Sequence, residues 1–175
     1  MRTLVLGGAR SGKSTHAEAL AAASERVDYV ATAPARPGDD EWAERIALHQ
    51  QRRPSSWRTL ETGDVAGVLG RDEPALALVD CLALWLTRTM DEVGIWSDEP
   101  GSREALQACV DELVAAVEST TREVVLVSNE VGMSVVPEHW SGRFFRDQLG
   151  ILNMRLAAAC ESVLLCVAGI PMTVK

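Results

Sequence analysis

A chain of 175 residues with 47% hydrophobic content is long enough to bury the core of one α/β domain and short for two. Its formal net charge of −8 argues against a nucleic-acid or anionic-membrane surface, which needs a basic stripe to displace counterions, so the basic residues present serve local anions. Cys81, Cys109, Cys160 and Cys166 sit in apolar contexts without a C-x-x-C pair, which argues against zinc or a disulfide framework and fits a reducing cytoplasm; no stretch reaches the roughly 20 apolar residues of a membrane span.

Thr3 to Leu6 reads as a short buried strand and Ser14 to Ala23 as an Ala-rich helix. Between them, Gly7-Gly8-Ala9-Arg10-Ser11-Gly12-Lys13-Ser14 satisfies the phosphate-loop pattern G-x-x-x-x-G-K-[ST] at every required position. Glycines there let backbone N–H groups turn inward as an anion nest, and the helix N-terminus adds partial positive charge. Lys13 can reach terminal phosphates and Ser14 is placed to ligate Mg²⁺, which predicts a nucleoside triphosphate site. The loop comes too early in the chain to leave room for a signal peptide, which points to an unexported protein.

Arg26 to Thr32 alternates like a second strand before Pro34, Pro37 and Gly38 break the chain. Asp39 or Asp40 can cap a helix running to about Arg53, ended by Pro54. Trp57 to Leu60 has the pattern of a short strand and Asp64 to Leu69 that of a short helix. Ala75 to Asp80 is an apolar run ending in an acid, as expected of a central parallel strand. Residues 81–90 read as helix, Asp91 to Ser102 as a surface loop, and 103–118 as a long amphipathic helix. Val124 to Ser128 is another buried strand, with the polar turn Asn129-Glu130-Val131-Gly132 at its carboxyl end, where open α/β sheets keep ligand loops. A helix from Ser141 to Cys160, a final strand from Val163 to Val167 and a short tail complete an alternation that predicts a mainly parallel sheet covered on both faces.

Asp80 occupies the position where phosphate-loop proteins keep the acid that holds Mg²⁺ through water; its other role is a cap for the helix that follows, and the two can coexist. Helical spacing also puts Arg45, His49 and either Arg52 or Arg53 on one face. Neighbouring positive charge favours the neutral, nucleophilic imidazole, while guanidinium groups can hold phosphate oxygens. On the residues alone, however, a lone histidine on a charged helix is ordinarily just solvated. His16 and His139 read as structural, and of the five tryptophans Trp96, in a loop, is the one placed to face a bulky ligand.

These motifs together resemble the bifunctional adenosylcobinamide kinase / adenosylcobinamide-phosphate guanylyltransferase family. The likeness runs over nearly the whole chain: the phosphate loop followed by His16-Ala17-Glu18, Ala31-Thr32-Ala33, the R-I-x-x-H-x-x-x-R-P-x-x-W-x-T-x-E pattern from Arg45 to Glu61, Asn129 to Gly132 with Val136-Pro137, Phe145-Arg146-Asp147, Gly150, Asn153, Ala168-Gly169 and Lys175. The resemblance implies a RecA-like phosphate-loop fold and two reactions on adenosylcobinamide: phosphorylation of its aminopropanol hydroxyl from ATP or GTP, then transfer of GMP from GTP to the new phosphate. It implies a GMP-histidine intermediate at His49, and nucleotide contacts from the phosphate loop, Ala31, Thr32, Ala33, Gln50, Gln51, Arg52, Arg53, Glu61 and Asp80. It also implies a homotrimer. Two departures stand out: Asn153-Met154 replaces a frequent N-Q pair, bearing on a helix contact or the oligomer interface, and Leu48-His49 leaves one candidate nucleophile where some members carry two adjacent histidines. A phosphate-loop kinase without a covalent adduct, or a module that binds GTP only to switch conformation, would need the loop but not the His49 cluster.

Overall fold

In the computed structural model, described for residues 1–33, 38, 44, 46, 47, 50 and 53–175, seven strands form one sheet: β1 (Arg2–Gly7), β2 (Val27–Ala31), β3 (Arg58–Glu61), β4 (Leu76–Asp80), β5 (Val124–Asn129), β6 (Ser162–Val167) and β7 (Ile170–Thr173). Their spatial order is β3-β2-β4-β5-β1-β6-β7, and every pairing is parallel except β6 with β7. The three innermost strands carry adjacent residues buried on both faces, Leu4 and Val5, Leu78 and Val79, Leu126 and Val127, which is why each reads as a continuous apolar run.

Five helices lie wholly within the described residues: α1 (Lys13–Ala21), α2 (Val65–Leu69), α3 (Leu82–Glu92), α4 (Ser102–Ser119) and α5 (Trp140–Ala159). The chain steps one way across the sheet from β1 to β2 and the other way from β4 to β5 and from β5 to β6, so crossovers of one hand put α1 on one face and α3 to α5 on the other. In keeping with this, α1 packs on β1, β4 and β5, whereas α2, α3 and α5 all pack against α4. The fold is a phosphate-loop α/β fold, and one strand, β5, separates the loop-bearing β1 from the acid-bearing β4, as in the RecA-like arrangement that the resemblance implies.

Two segments differ from the sequence reading. The tail after Gly169 is a strand, β7, antiparallel to β6; it is four residues long, all of them exposed, and contains Pro171, a residue tolerated only at a sheet edge and one that reads as a break in sequence. The loop at 91–102 contains a 3-10 turn at Ile95–Ser97, and Ile95 is buried in the core. The helix expected from Asp39 or Asp40 to Arg53, with Arg45, His49, Gln51 and Arg52, lies largely outside the described residues; Glu44, Ile46, Ala47 and Gln50 of it are described and helical.

One charge cluster is built into the core. Asp28, on β2, is 2% exposed and accepts two hydrogen bonds from Arg58 of β3 at 2.8 Å and a third from buried Arg122 at 2.6 Å. Arg122 spends its other donors on the Ala75 and Val68 carbonyls, both at 3.0 Å, and so ties β2 and the chain entering β4 to α2. Burial would push the Asp28 carboxyl up, but the hydrogen bonds from Arg58 and then Arg122 outweigh it and hold the group below its ordinary value of 3.8.

Removing the guanidinium strands two buried carbonyls and weakens the hold on a buried carboxylate. Arg122→Leu is therefore expected to cost about 3 kcal/mol, or roughly 6–12 °C in Tm, in thermal unfolding. The depressed Asp28 value also sets a pH dependence. The unfolded chain takes up the proton at higher pH than the folded one, so stability from this group is complete above 3.8 and is lost as pH falls through the lower folded value. Tm measured from neutral to acidic pH should fall less steeply below about pH 5 in Asp28→Asn than in the parent.

Candidate active site

The phosphate loop leaves β1 at Gly7 and enters α1 at Lys13. Two glycines are required by contact, and one of them, Gly12, by conformation as well. A Cβ at Gly7 would stand 2.8 Å from the Cys166 carbonyl, and Gly12 has φ of +89° with the Gly169 Cα 3.0 Å from where its Cβ would lie. Gly169 also donates its backbone N–H to the Ser11 carbonyl at 2.9 Å, so the turn between β6 and β7 clamps the loop from behind. Gly8, Ala9 and Arg10 form the exposed crest, with Arg10 at φ of 56°. Lys13 is 8% exposed and its Nζ donates to the Gly8 carbonyl at 3.2 Å, while the Ser11 Oγ is buried with no hydrogen-bond partner among the described residues.

Beside the loop lies a cavity of about 370 Å³ at the carboxyl ends of the strands. It brings together Lys13, Ser14, Ala31, Ala33, Gln50, Arg53, Glu61 and Asp80 of the residues singled out in the sequence. Thr32 behaves differently: it is fully buried and its hydroxyl donates to the Cys81 carbonyl at 2.7 Å, bracing the end of β2 against the end of β4. Strand alternation accounts for this, since Ala31 and Ala33 point one way and Thr32 the other. His49, Gln51 and Arg52 lie outside the described residues. Asp80 is not the cap of α3, whose N-cap is Cys81 with no side-chain cap. Trp96 packs edge-on against Trp140, ring centroids 6.3 Å apart, and is not among the cavity-lining residues.

Several lining residues were not singled out as site residues, among them Asn129, Phe145 and Tyr29. Asn129 follows from its place at the end of β5, and Phe145 from its spacing on α5. Tyr29 left no such signal. It is 3% exposed in the middle of β2, donates its hydroxyl to Asp80 Oδ2 at 2.9 Å, and carries the Arg53 guanidinium over its ring with Cζ 3.2 Å from the centroid. Burial, then the Asp80 carboxylate, push its phenol well above the ordinary range, so it remains a proton donor. Burial pushes the neighbouring Cys81 thiol up to about 11, which leaves it protonated and unsuited to act as nucleophile or metal ligand.

The donor set suits Mg²⁺. Ser14 supplies a hydroxyl and Asp80 a carboxylate to the same cavity, and no group of three or more His, Cys, Asp or Glu forms a closed cage among the described residues. A hard cation that keeps several waters and takes further ligands from phosphates asks for that sparse set of oxygens.

Strand, glycine loop, buried lysine and facing carboxylate define a phosphate-loop nucleotide-binding protein. The chain belongs to the cobinamide kinase / cobinamide phosphate guanyltransferase family, whose family model matches residues 3–174. It is 45% identical over 183 residues to the bifunctional adenosylcobalamin biosynthesis protein CobP of Pseudomonas aeruginosa, covering 100% of this chain and 98% of that one. It is 41% identical over 184 residues to the bifunctional adenosylcobalamin biosynthesis protein CobU of Escherichia coli, covering both chains fully. Among solved structures, an ATPase from the type III secretion system of pathogenic bacteria superposes with a TM-score of 0.57 at 13% identity, over 98% of this chain and 56% of that one. At that identity the likeness is one of fold.

If the loop cradles phosphates, Lys13→Ala is expected to weaken GTP and ATP binding about ten- to hundredfold, the loss of hydrogen bonds from one charged donor. Calorimetry returning the parental Kd for both nucleotides would remove Lys13 from that role.

Proposed function

We propose that the protein carries both activities in its family's description: it phosphorylates the hydroxyl of adenosylcobinamide from ATP or GTP, then transfers GMP from GTP to the new phosphate, releasing pyrophosphate. The observation that supports this reading best is the full-length match to a bifunctional family by a chain whose phosphate loop and Asp80 wall one cavity. In the kinase step the substrate hydroxyl oxygen attacks the γ-phosphorus and gives up its proton to solvent, the bond to the β–γ bridging oxygen breaks, and the nucleoside diphosphate leaves. The nest of the loop, Lys13 and Arg53 hold the phosphate oxygens on which charge is spread. Ser14 and Asp80 would hold Mg²⁺, which when bound neutralises phosphate charge and fixes its geometry.

In the guanylyl step, the neutral imidazole of His49 attacks the α-phosphorus, forming a P–N bond as pyrophosphate departs. A phosphate oxygen of the corrinoid substrate then attacks the same phosphorus, the P–N bond breaks, and the imidazole is restored. Ala31, Ala33, Gln50, Gln51, Arg52 and Glu61 belong to the nucleotide's surroundings in this reading, and Thr32 supports them from behind. The same reading extends to a single catalytic domain acting as a homotrimer in the cytoplasm. Four free cysteines, three of them buried, agree with a reducing compartment, and no described helix is long and apolar enough to cross a membrane.

Labelled GTP tests the chemistry directly. With α-label the protein should retain an acid-labile, alkali-stable adduct, and with γ-label it should retain none. His49→Ala should lose the adduct and guanylyl transfer yet keep measurable phosphorylation of adenosylcobinamide. Equal loss of both activities in a folded variant that still binds GTP would refute the division of labour.

A further inference from the structure

β2 carries two polar side chains in succession, and alternation sends them to different surroundings. Asp28 is consumed by Arg58 and Arg122 in a structural cluster. Tyr29 faces the cavity, where it touches two groups of opposite charge at once: its hydroxyl donates to Asp80 Oδ2 at 2.9 Å, and its ring lies 3.2 Å from the Arg53 Cζ. These contacts join residues 51 and 24 positions away from it in the chain. The Arg53 Nε is buried and has no hydrogen-bond partner among the described residues. A guanidinium whose flat face rests on an aromatic ring keeps its N–H edge for a planar or tetrahedral oxyanion, and this one lines the same cavity as Lys13.

We infer that Tyr29 is a positioning residue of this site: its ring is the plate that holds Arg53 and its hydroxyl orients Asp80, so one rigid side chain sets the placement of the cation and the carboxylate between which a triphosphate with its counter-ion is held. The inference rests on reading the cavity as a nucleoside triphosphate site. A tyrosine suits the task because it has only two side-chain torsions and is locked by burial, so neither charged group has to be ordered when the ligand arrives. Phenylalanine would fill the same space and carry the cation, but could not orient the carboxylate. Leucine would fill the core and do neither.

The two contacts are separable by measuring GTP binding to the full chain by calorimetry, with Mg²⁺ titrated in and with EDTA present. Tyr29→Phe is expected to raise the Mg²⁺ concentration for half-maximal GTP binding about five- to tenfold, while the Kd for GTP in EDTA stays within about twofold. Tyr29→Leu should weaken binding in EDTA about fivefold as well, and Arg53→Lys, which keeps the charge but not the flat stack, should reproduce that second loss. A purely packing role predicts instead a lower Tm with no change in Mg²⁺ requirement. Parental Mg²⁺ dependence in Tyr29→Phe would overturn the inference even if Tyr29→Leu fails to fold. A parent protein that binds no GTP would overturn the nucleotide reading and this inference with it.

Discussion

Parallel pairing of β1 with β5 and of β5 with β4 is the constraint on which the rest of the site depends. Gly7, where the phosphate loop begins, is in register with Asn129, whereas Asp80 is in register with Val127, two residues earlier on the same strand. Two inter-strand spacings separate the loop from the acid, about 10 Å, and the stagger drops Asp80 about 7 Å below the level of the loop. Loop and acid face the same cavity across that step, and neither a slip of register nor an insertion of a further strand would leave it intact. Burial enforces the register, because the inner strands are apolar on both faces and every residue has a fixed place in the core.

Around that step the molecule keeps two kinds of polar construction apart. The Asp28 cluster has its charges satisfied by fixed protein groups, the carboxylate by guanidinium donors and Arg122 by accepting carbonyls from α2 and from the chain before β4, and it leaves little for a ligand to do. At the carboxyl ends of the strands, the Ser11 Oγ and Arg53 Nε are buried without hydrogen-bond partners among the described residues, and Lys13 is folded back on a loop carbonyl. Buried polar groups left in that state are costly unless a ligand completes them. The contrast separates the part that stabilises the fold from the end proposed to bind nucleotide. β2 contributes to both, through Asp28 and Tyr29.

Much of the loop's behaviour is local, yet its support is not. Gly12 is needed because the β6–β7 turn presses against the loop and Gly7 because the end of β6 does, and that turn leads into an exposed edge strand with none of the burial of the inner sheet. The cysteine on β6 whose carbonyl crowds Gly7 is far from the loop in sequence. A phosphate loop is thus a motif in eight residues and a structure in about three strands.

Sequence alone determined the phosphate loop, the inner strands and the acid at the end of β4, because each is written in residues adjacent in the chain: glycine spacing sets the turn, and runs buried on both faces set the strands. The family, too, was legible from short motifs spread along the chain. Tertiary structure decided that Asp80 faces the loop instead of capping α3, that Thr32 turns away from the cavity its neighbours line, that residues 170–173 complete the sheet, and that Tyr29 stands between Arg53 and Asp80. Each of those depends on which strands become neighbours and at what register. Crossovers of the chain set both, and no spacing between residues a few positions apart records them.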